Sequence, residues 1–191
     1  MRGIRFAARV IAAVLALAGT TRVAQAQQGD DVQYADEYKL KAAFLFNFGK
    51  FVEWPPQILA PADATFRLCI VGRDRFGASL RALEGRMQRG RPIEIVTVRS
   101  AADVAGCHLL YGDTNKDFVD AGITPRALGD LPVLTVTSAV EPGQHWVVIR
   151  FVQRAGKLRW ELNLDTARRA NLKISAKLIE IAVVVNGSQG P

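Results

Sequence analysis

The stretch Glu37–Pro55, EYKLKAAFLFNFGKFVEWP, most constrains what this chain can become. Written on a helix, Leu40, Phe44, Phe48 and Phe51 recur at steps of four, four and three and form one apolar stripe. Tyr38, Leu45 and Val52 widen it, while Lys39, Asn47, Lys50 and Glu53 lie mostly outside. Pro55 and Pro56 stop the helix at Trp54, because proline disfavours helical backbone at the residue before it. A helix carrying four phenylalanines must be covered, so the remaining chain has to supply a core for it. Its Trp-Pro-Pro end has a second reading, as an exposed docking edge centred on Trp54.

The N-terminus reads as a leader rather than as fold. Arg2, Arg5 and Arg9 precede the apolar run Val10–Gly19, which is too short to span a bilayer, and Ala24-Gln25-Ala26 supplies a small-x-small cleavage pattern. We therefore expect a signal peptide over 1–26 and a mature domain over 27–191, exported to the periplasm and not embedded in a membrane. The formal charge of +7 falls to +3 once Arg2, Arg5, Arg9 and Arg22 leave with the leader. That balance gives no reason to expect nucleic acid. Arg86, Arg89 and Arg91, with Arg81, cluster locally. They read as a solvated loop or, second, as a surface for an acidic partner.

Beyond the helix, Phe66–Val71, Pro92–Val98, Cys107–Tyr111 and Leu131–Val136 read as strands. Between them, Arg73–Met87 and Lys116–Leu128 show helical spacing, the second interrupted by Gly122 and Pro125. Such alternation predicts a single three-layer α/β domain with a largely parallel sheet flanked by helices. Trp146–Val152 and Leu158–Leu164, joined around Gly156, read as an antiparallel hairpin at its C-terminal edge. Asp165 is the expected cap of a helix over Thr166–Ala170, and Ser175 of a last helix burying Ala176, Ile179, Ala182 and Val183. Asn186–Pro191 reads as a frayed tail.

Chemistry is sparse. His108 lies in an apolar strand and reads as a packed histidine, and His145 sits at a loop–strand boundary. No G-x-S-x-G elbow is present, and the histidines and cysteines lack metal-ligand spacing. Gly72–Gly77, GRDRFG, follows a strand but matches neither phosphate-binding fingerprint. Asp74, Asp113 and Asp117 fall near strand ends, where carboxylates can meet in doubly wound folds. We expect no catalytic residues, no cofactor and no metal. Cys69 and Cys107 are the only cysteines, and an even pair in an oxidising compartment reads first as a disulfide, with two buried free thiols as the other state.

Five segments carry a resemblance to a known family: EYKLKAAFLFNFGKFVEWP (Glu37–Pro55), RLCIVGRDRFG (Arg67–Gly77), AGCHLLYG (Ala105–Gly112), LPVLTV (Leu131–Val136) and WELNLDTARRANLKISAKLIEIA (Trp160–Ala182). In that order they resemble the YfiR-like family of bacterial periplasmic proteins. The resemblance implies an α/β domain able to form a homodimer. It also implies a repressor that binds the periplasmic sensor domain of an inner-membrane diguanylate cyclase, lowering cyclic di-GMP and biofilm formation. An outer-membrane lipoprotein that sequesters the repressor is the implied second partner. The family's L-C-[IV]-x-G cysteine matches Cys69 and its G-C-H cysteine matches Cys107, so the resemblance implies a bridge between these two. The second cysteine pair of the best-known repressor has no counterpart here, and Pro142–Trp146 is bulkier than the family's glycine-rich turn. Trp54, Arg86, Arg89 and Arg91 are the candidate partner-binding residues. A different class of protein also fits the sequence: a periplasmic ligand sensor with a cleft near Gly72, Asp74 and Gly112.

Overall fold

The computed structural model describes residues 34–59, 64–139 and 146–185, with backbone alone at 183–185. The expected leader, His145, most of the Pro142–Trp146 turn and the C-terminal tail lie outside these residues. The first helix, α1, covers residues 34–51. Its deepest positions are Tyr38, Ala42, Leu45 and Phe48, continuing into Val52, while Leu40 is 44 % exposed and Phe44 and Phe51 are half-buried. The stripe is thus the expected one rotated towards its Tyr38–Leu45–Val52 flank. The aromatic floor beneath the helix sets that rotation. Phe48 meets both Phe151 and Trp160, at centroid distances of 5.7 and 5.3 Å, and Phe44 leans on Trp160 at 4.8 Å.

That floor belongs to an eight-stranded sheet. Its strands are β2 (Phe66–Val71), β3 (Met87–Gln88), β4 (Arg91–Val98), β5 (Leu109–Gly112), β6 (Leu134–Thr137), β7 (Ile149–Arg154), β8 (Lys157–Asn163) and β10 (Val183–Val185), in spatial order β10-β8-β7-β6-β5-β2-β4-β3. Strands β4, β2, β5, β6 and β7 run parallel, in register through Leu68↔Ile95, Leu68↔Leu109 and Leu109↔Leu134. Their unbroken Leu, Ile and Val runs suit strands covered on both faces. β7 and β8 form the antiparallel hairpin, turning at Ala155 and Gly156, both at positive φ (50° and 70°), as a primed two-residue turn requires.

Helices cover both faces. One core combines α1 with Leu68, Ile70, Leu109, Tyr111, Val136, Phe151 and Trp160. The other holds Cys69, Val71, Cys107, Leu110, Phe118 and Ile123 beneath α3 (Asn115–Asp120) and α4 (Pro125–Leu128). Cys69 and Cys107 are joined as a disulfide, their Cα atoms 5.9 Å apart, inside this second core. Cys69 sits opposite Leu110 in the β2–β5 register, which brings the residue two before β5 within reach.

Three local expectations are corrected. The Arg73–Met87 segment is helical only at α2 (Ala78–Arg81), after which Met87 enters β3 and pairs with Pro92. The helix α5 (Leu164–Arg169) is capped by Asn163, whose Oδ1 accepts from Thr166 N–H at 3.0 Å, rather than by Asp165. The last helix, α6 (Ala176–Glu180), ends early, and Val183–Val185 becomes a strand lying parallel to β8. A small second sheet was not legible at all: β1 (Val52–Glu53) pairs antiparallel with β9 (Lys173–Ile174), through Val52↔Ile174 and Glu53↔Lys173.

Candidate functional site at the carboxyl edge of the sheet

The order of the parallel strands reverses between β2 and β5, the place where open α/β sheets hold ligands. Here the crevice is filled. A Cβ at Gly112 would stand 2.4 Å from the Phe118 ring, and one at Gly72 only 2.2 Å from Asp117 Oδ1. The expected cleft at Gly72, Asp74 and Gly112 is therefore closed by α3. The three strand-end carboxylates serve separate purposes. Asp74 accepts from Phe76 N–H (2.8 Å) and Gly77 N–H (3.2 Å), closing its own turn. Asp117 and Thr114 form a reciprocal capping box at the start of α3.

Asp113 is the hub. Its Oδ2 accepts from Tyr38 O–H at 2.8 Å and pairs with Arg75 Nε at 3.2 Å; its Oδ1 accepts from Tyr111 O–H and lies 3.7 Å from Lys41 Nζ. Lys41 is buried, its side chain 3 % exposed, and pairs with Glu37 at 2.7 Å. The network ties the first turns of α1 to the end of β5. Burial pushes both phenols well above their ordinary pKa, and the neighbouring Asp113 charge adds to this. Both tyrosines are therefore hydrogen-bond donors at any physiological pH.

One strand further along, a cleft of about 360 Å³ does open. β6 ends at Thr137, and β7 pairs with it only at Ile149 and Arg150. The β7–β8 hairpin continues past that edge as one wall. Glu37 and Lys41 of α1 make the other, with Ser138 at the end of β6. Ser138 Oγ is 2.9 Å from Tyr111 Oη, so the cleft is contiguous with the Asp113 network. Among the hairpin residues, Arg150 Nε donates to Glu161 Oε2 at 2.8 Å and Arg154 Nη2 to Glu161 Oε1 at 3.2 Å.

The residues expected to meet a partner are placed otherwise. Trp54 is 6 % exposed: its ring packs edge-on against Phe66 at 5.3 Å and its Nε1–H donates to the His108 carbonyl at 3.1 Å. The expectation of an exposed Trp54 is thus corrected, because the indole fills the seam between the end of α1 and the start of β5, while Pro56 beyond it stays exposed. Arg89 is held by the same helix end. It donates to the carbonyls of Gly49 (3.3 Å), Lys50 (3.2 Å) and Val52, which α1 leaves open at its C-terminus. Arg91 donates to the Leu59 carbonyl. Arg86 lies over the Phe46 ring, 4.1 Å from its centroid, and stays exposed. Arg89 and Arg91 are thus tied to backbone carbonyls, while Arg81, Arg86 and Arg89 remain exposed.

His108 is packed, as its apolar strand implied. Its ring stacks on Phe66 at 4.9 Å, and its Nδ1 accepts from Arg67 N–H at 3.0 Å. Nε2 is buried towards the Ile58 carbonyl without a well-formed hydrogen bond. Burial lowers its pKa, and the charges of Arg67 and Arg91 act in the same direction. Among the described residues, no cluster of His, Cys, Asp and Glu is arranged to hold a metal ion, and no helix is long and apolar enough to cross a membrane.

The profile of the YfiR/HmsC-like family matches residues 38–183, running from the first helix to the final strand. The chain belongs to the YfiR/HmsC-like family. No curated protein matches the chain. The matched region of this YfiR/HmsC-like domain contains both bridged cysteines, Asp113 with its tyrosine partners, and every lining residue of the hairpin cleft except Glu37.

Proposed function

We propose that this YfiR/HmsC-like protein is a periplasmic regulator that holds an inner-membrane diguanylate cyclase inactive by binding its periplasmic sensor domain. Family membership across residues 38–183 carries this reading. On this reading residues 1–26 direct export, and the domain acts by occupancy, without chemistry of its own. A lipoprotein of the outer membrane then relieves repression by competing for the same domain, and the level of free repressor sets cyclic di-GMP by mass action. Homodimerisation belongs to the same proposal.

With Trp54 buried, the apolar contact proposed here falls to the stripe of α1 that carries exposed Leu40 and the half-buried Phe44 and Phe51. Arg86 and Lys50, both exposed and stacked on Phe46, supply charge at the other end of the same helix. The deciding experiment compares cyclic di-GMP in cells lacking the gene with cells carrying an intact copy. The expected result is a rise on deletion, reversed by the copy. An unchanged level in cells shown to make the protein would remove the cyclase from the account.

A further inference from the structure

The hairpin cleft has a chemistry of its own. Three cations reach it, Lys41, Arg150 and Arg154, against two carboxylates, Glu37 and Glu161. The pairing leaves positive charge in excess. Arg150 and Arg154 share the single Glu161 carboxylate. Lys41 has three N–H donors and, among the described residues, makes one contact of hydrogen-bond length, 2.7 Å to Glu37, with Asp113 a longer 3.7 Å away and already accepting from Tyr38 and Tyr111. Each guanidinium carries five donors in a planar fork, more than one shared carboxylate can accept. Ser138 adds a hydroxyl, while Phe151, Val152 and Leu158 give the cleft an apolar side.

We propose that this cleft binds a small organic anion: a carboxylate or phosphate monoester on an apolar body. The anionic head lies between the two arginines and the Lys41 ammonium, and the body lies against the hairpin's apolar residues. Placed there, the anion competes with Glu37 and Asp113 for Lys41, which is part of what fastens α1 to the end of β5. Occupancy of the cleft is thereby coupled to the seating of the first helix. The site is distinct from the stripe of α1 assigned to the cyclase and stands whether or not that assignment holds.

The test is an amide NMR titration of the oxidised protein with benzoate and phenyl phosphate, alongside benzyl alcohol and benzylamine as neutral and cationic analogues. Saturable shifts are expected at Ser138 and along Phe151–Leu158 with at least one anion, and saturation by one alone identifies the head group. The neutral and cationic analogues should bind about tenfold more weakly or worse, the scale of one charge-assisted contact. Replacing Lys41 removes a buried side chain that Glu37 and Asp113 share and risks unfolding. The informative variant is Arg154→Gln, whose parent side chain is 62 % exposed and which leaves Arg150 on Glu161. Its affinity for the anion should fall roughly tenfold with the spectrum otherwise preserved. Absence of saturable shifts with both anions would overturn the site, as would benzylamine binding equally well or Arg154→Gln binding with parental affinity.

Discussion

Trp54 joins two kinds of interaction in one side chain, an edge-on ring contact with Phe66 and a hydrogen bond to the His108 carbonyl just before β5. Trp54→Ala should cost roughly 3–5 kcal/mol, as large aromatic truncations in cores do. Trp54→Phe keeps much of the ring packing and loses the N–H donor, so about 1 kcal/mol is expected from that bond. Urea denaturation of the two variants separates the terms. Beside it, His108 makes stability depend on pH. Its folded-state pKa lies below the ordinary value of about 6.5, so the unfolded chain takes up the proton first. Stability should therefore fall as pH drops below about 6.5, and continue to fall until the folded histidine also protonates. His108→Gln should flatten that part of the pH–stability curve, read as melting temperature between pH 7 and 5. The burial of His108 was legible from its apolar neighbours. The burial of Trp54 was not, because a Trp-Pro-Pro helix end reads the same whether the chain beyond folds over it or away from it.

At the scale of elements, the sequence revealed whatever carries a period. The four main parallel strands, the hairpin and α1 all follow from runs of apolar residues and their spacing. Two-residue strands have no period to read, so β1, β3 and β9 emerge only when a partner strand is in place. Helix caps were ambiguous in a similar way. Asn163 and Asp165 are both eligible, and the decision falls to Asn163 because β8 ends there and leaves Thr166 N–H pointing back at its side chain. Asn163→Ala should lower stability by about 1 kcal/mol, with Asp165→Ala well below that, measured by thermal melts. The Leu40 stripe of α1 allows a complementary test. Leu40→Asp removes apolar surface from a 44 % exposed position and should leave the melting temperature nearly unchanged. If the proposed function holds, the same change should weaken capture of a diguanylate cyclase's periplasmic domain in a pull-down with purified components. Full retention of binding would move the contact elsewhere.

For the molecule as a whole, the disulfide is the strongest constraint placed on the unfolded chain. It joins Cys69 and Cys107 across a sequence separation of 38, spanning β4 and the whole connection from β2 towards β5. Opening it should cost roughly 4 kcal/mol in the chain-entropy account. Denaturation with and without dithiothreitol measures this, and thiol labelling of the oxidised, denatured protein should find no reactive cysteine. Pairing of the two cysteines followed from their number and from the family resemblance. The hairpin cleft did not follow from either. It depends on β7 outrunning β6, and strand lengths relative to one another are set by the assembled sheet rather than by any residue in it.

The β1–β9 clasp carries a consequence for how such a chain is made. Val52 and Ile174 meet across 122 positions, and the Trp160 ring that receives Phe44 and Phe48 also comes late. The first of the described helices to leave the ribosome is therefore among the last to find its cover. Until the hairpin has been delivered, a segment bearing four phenylalanines travels without its counterpart. The chain as it emerges is an open hand that closes only at the end, and whatever escorts it in the meantime must shield that helix.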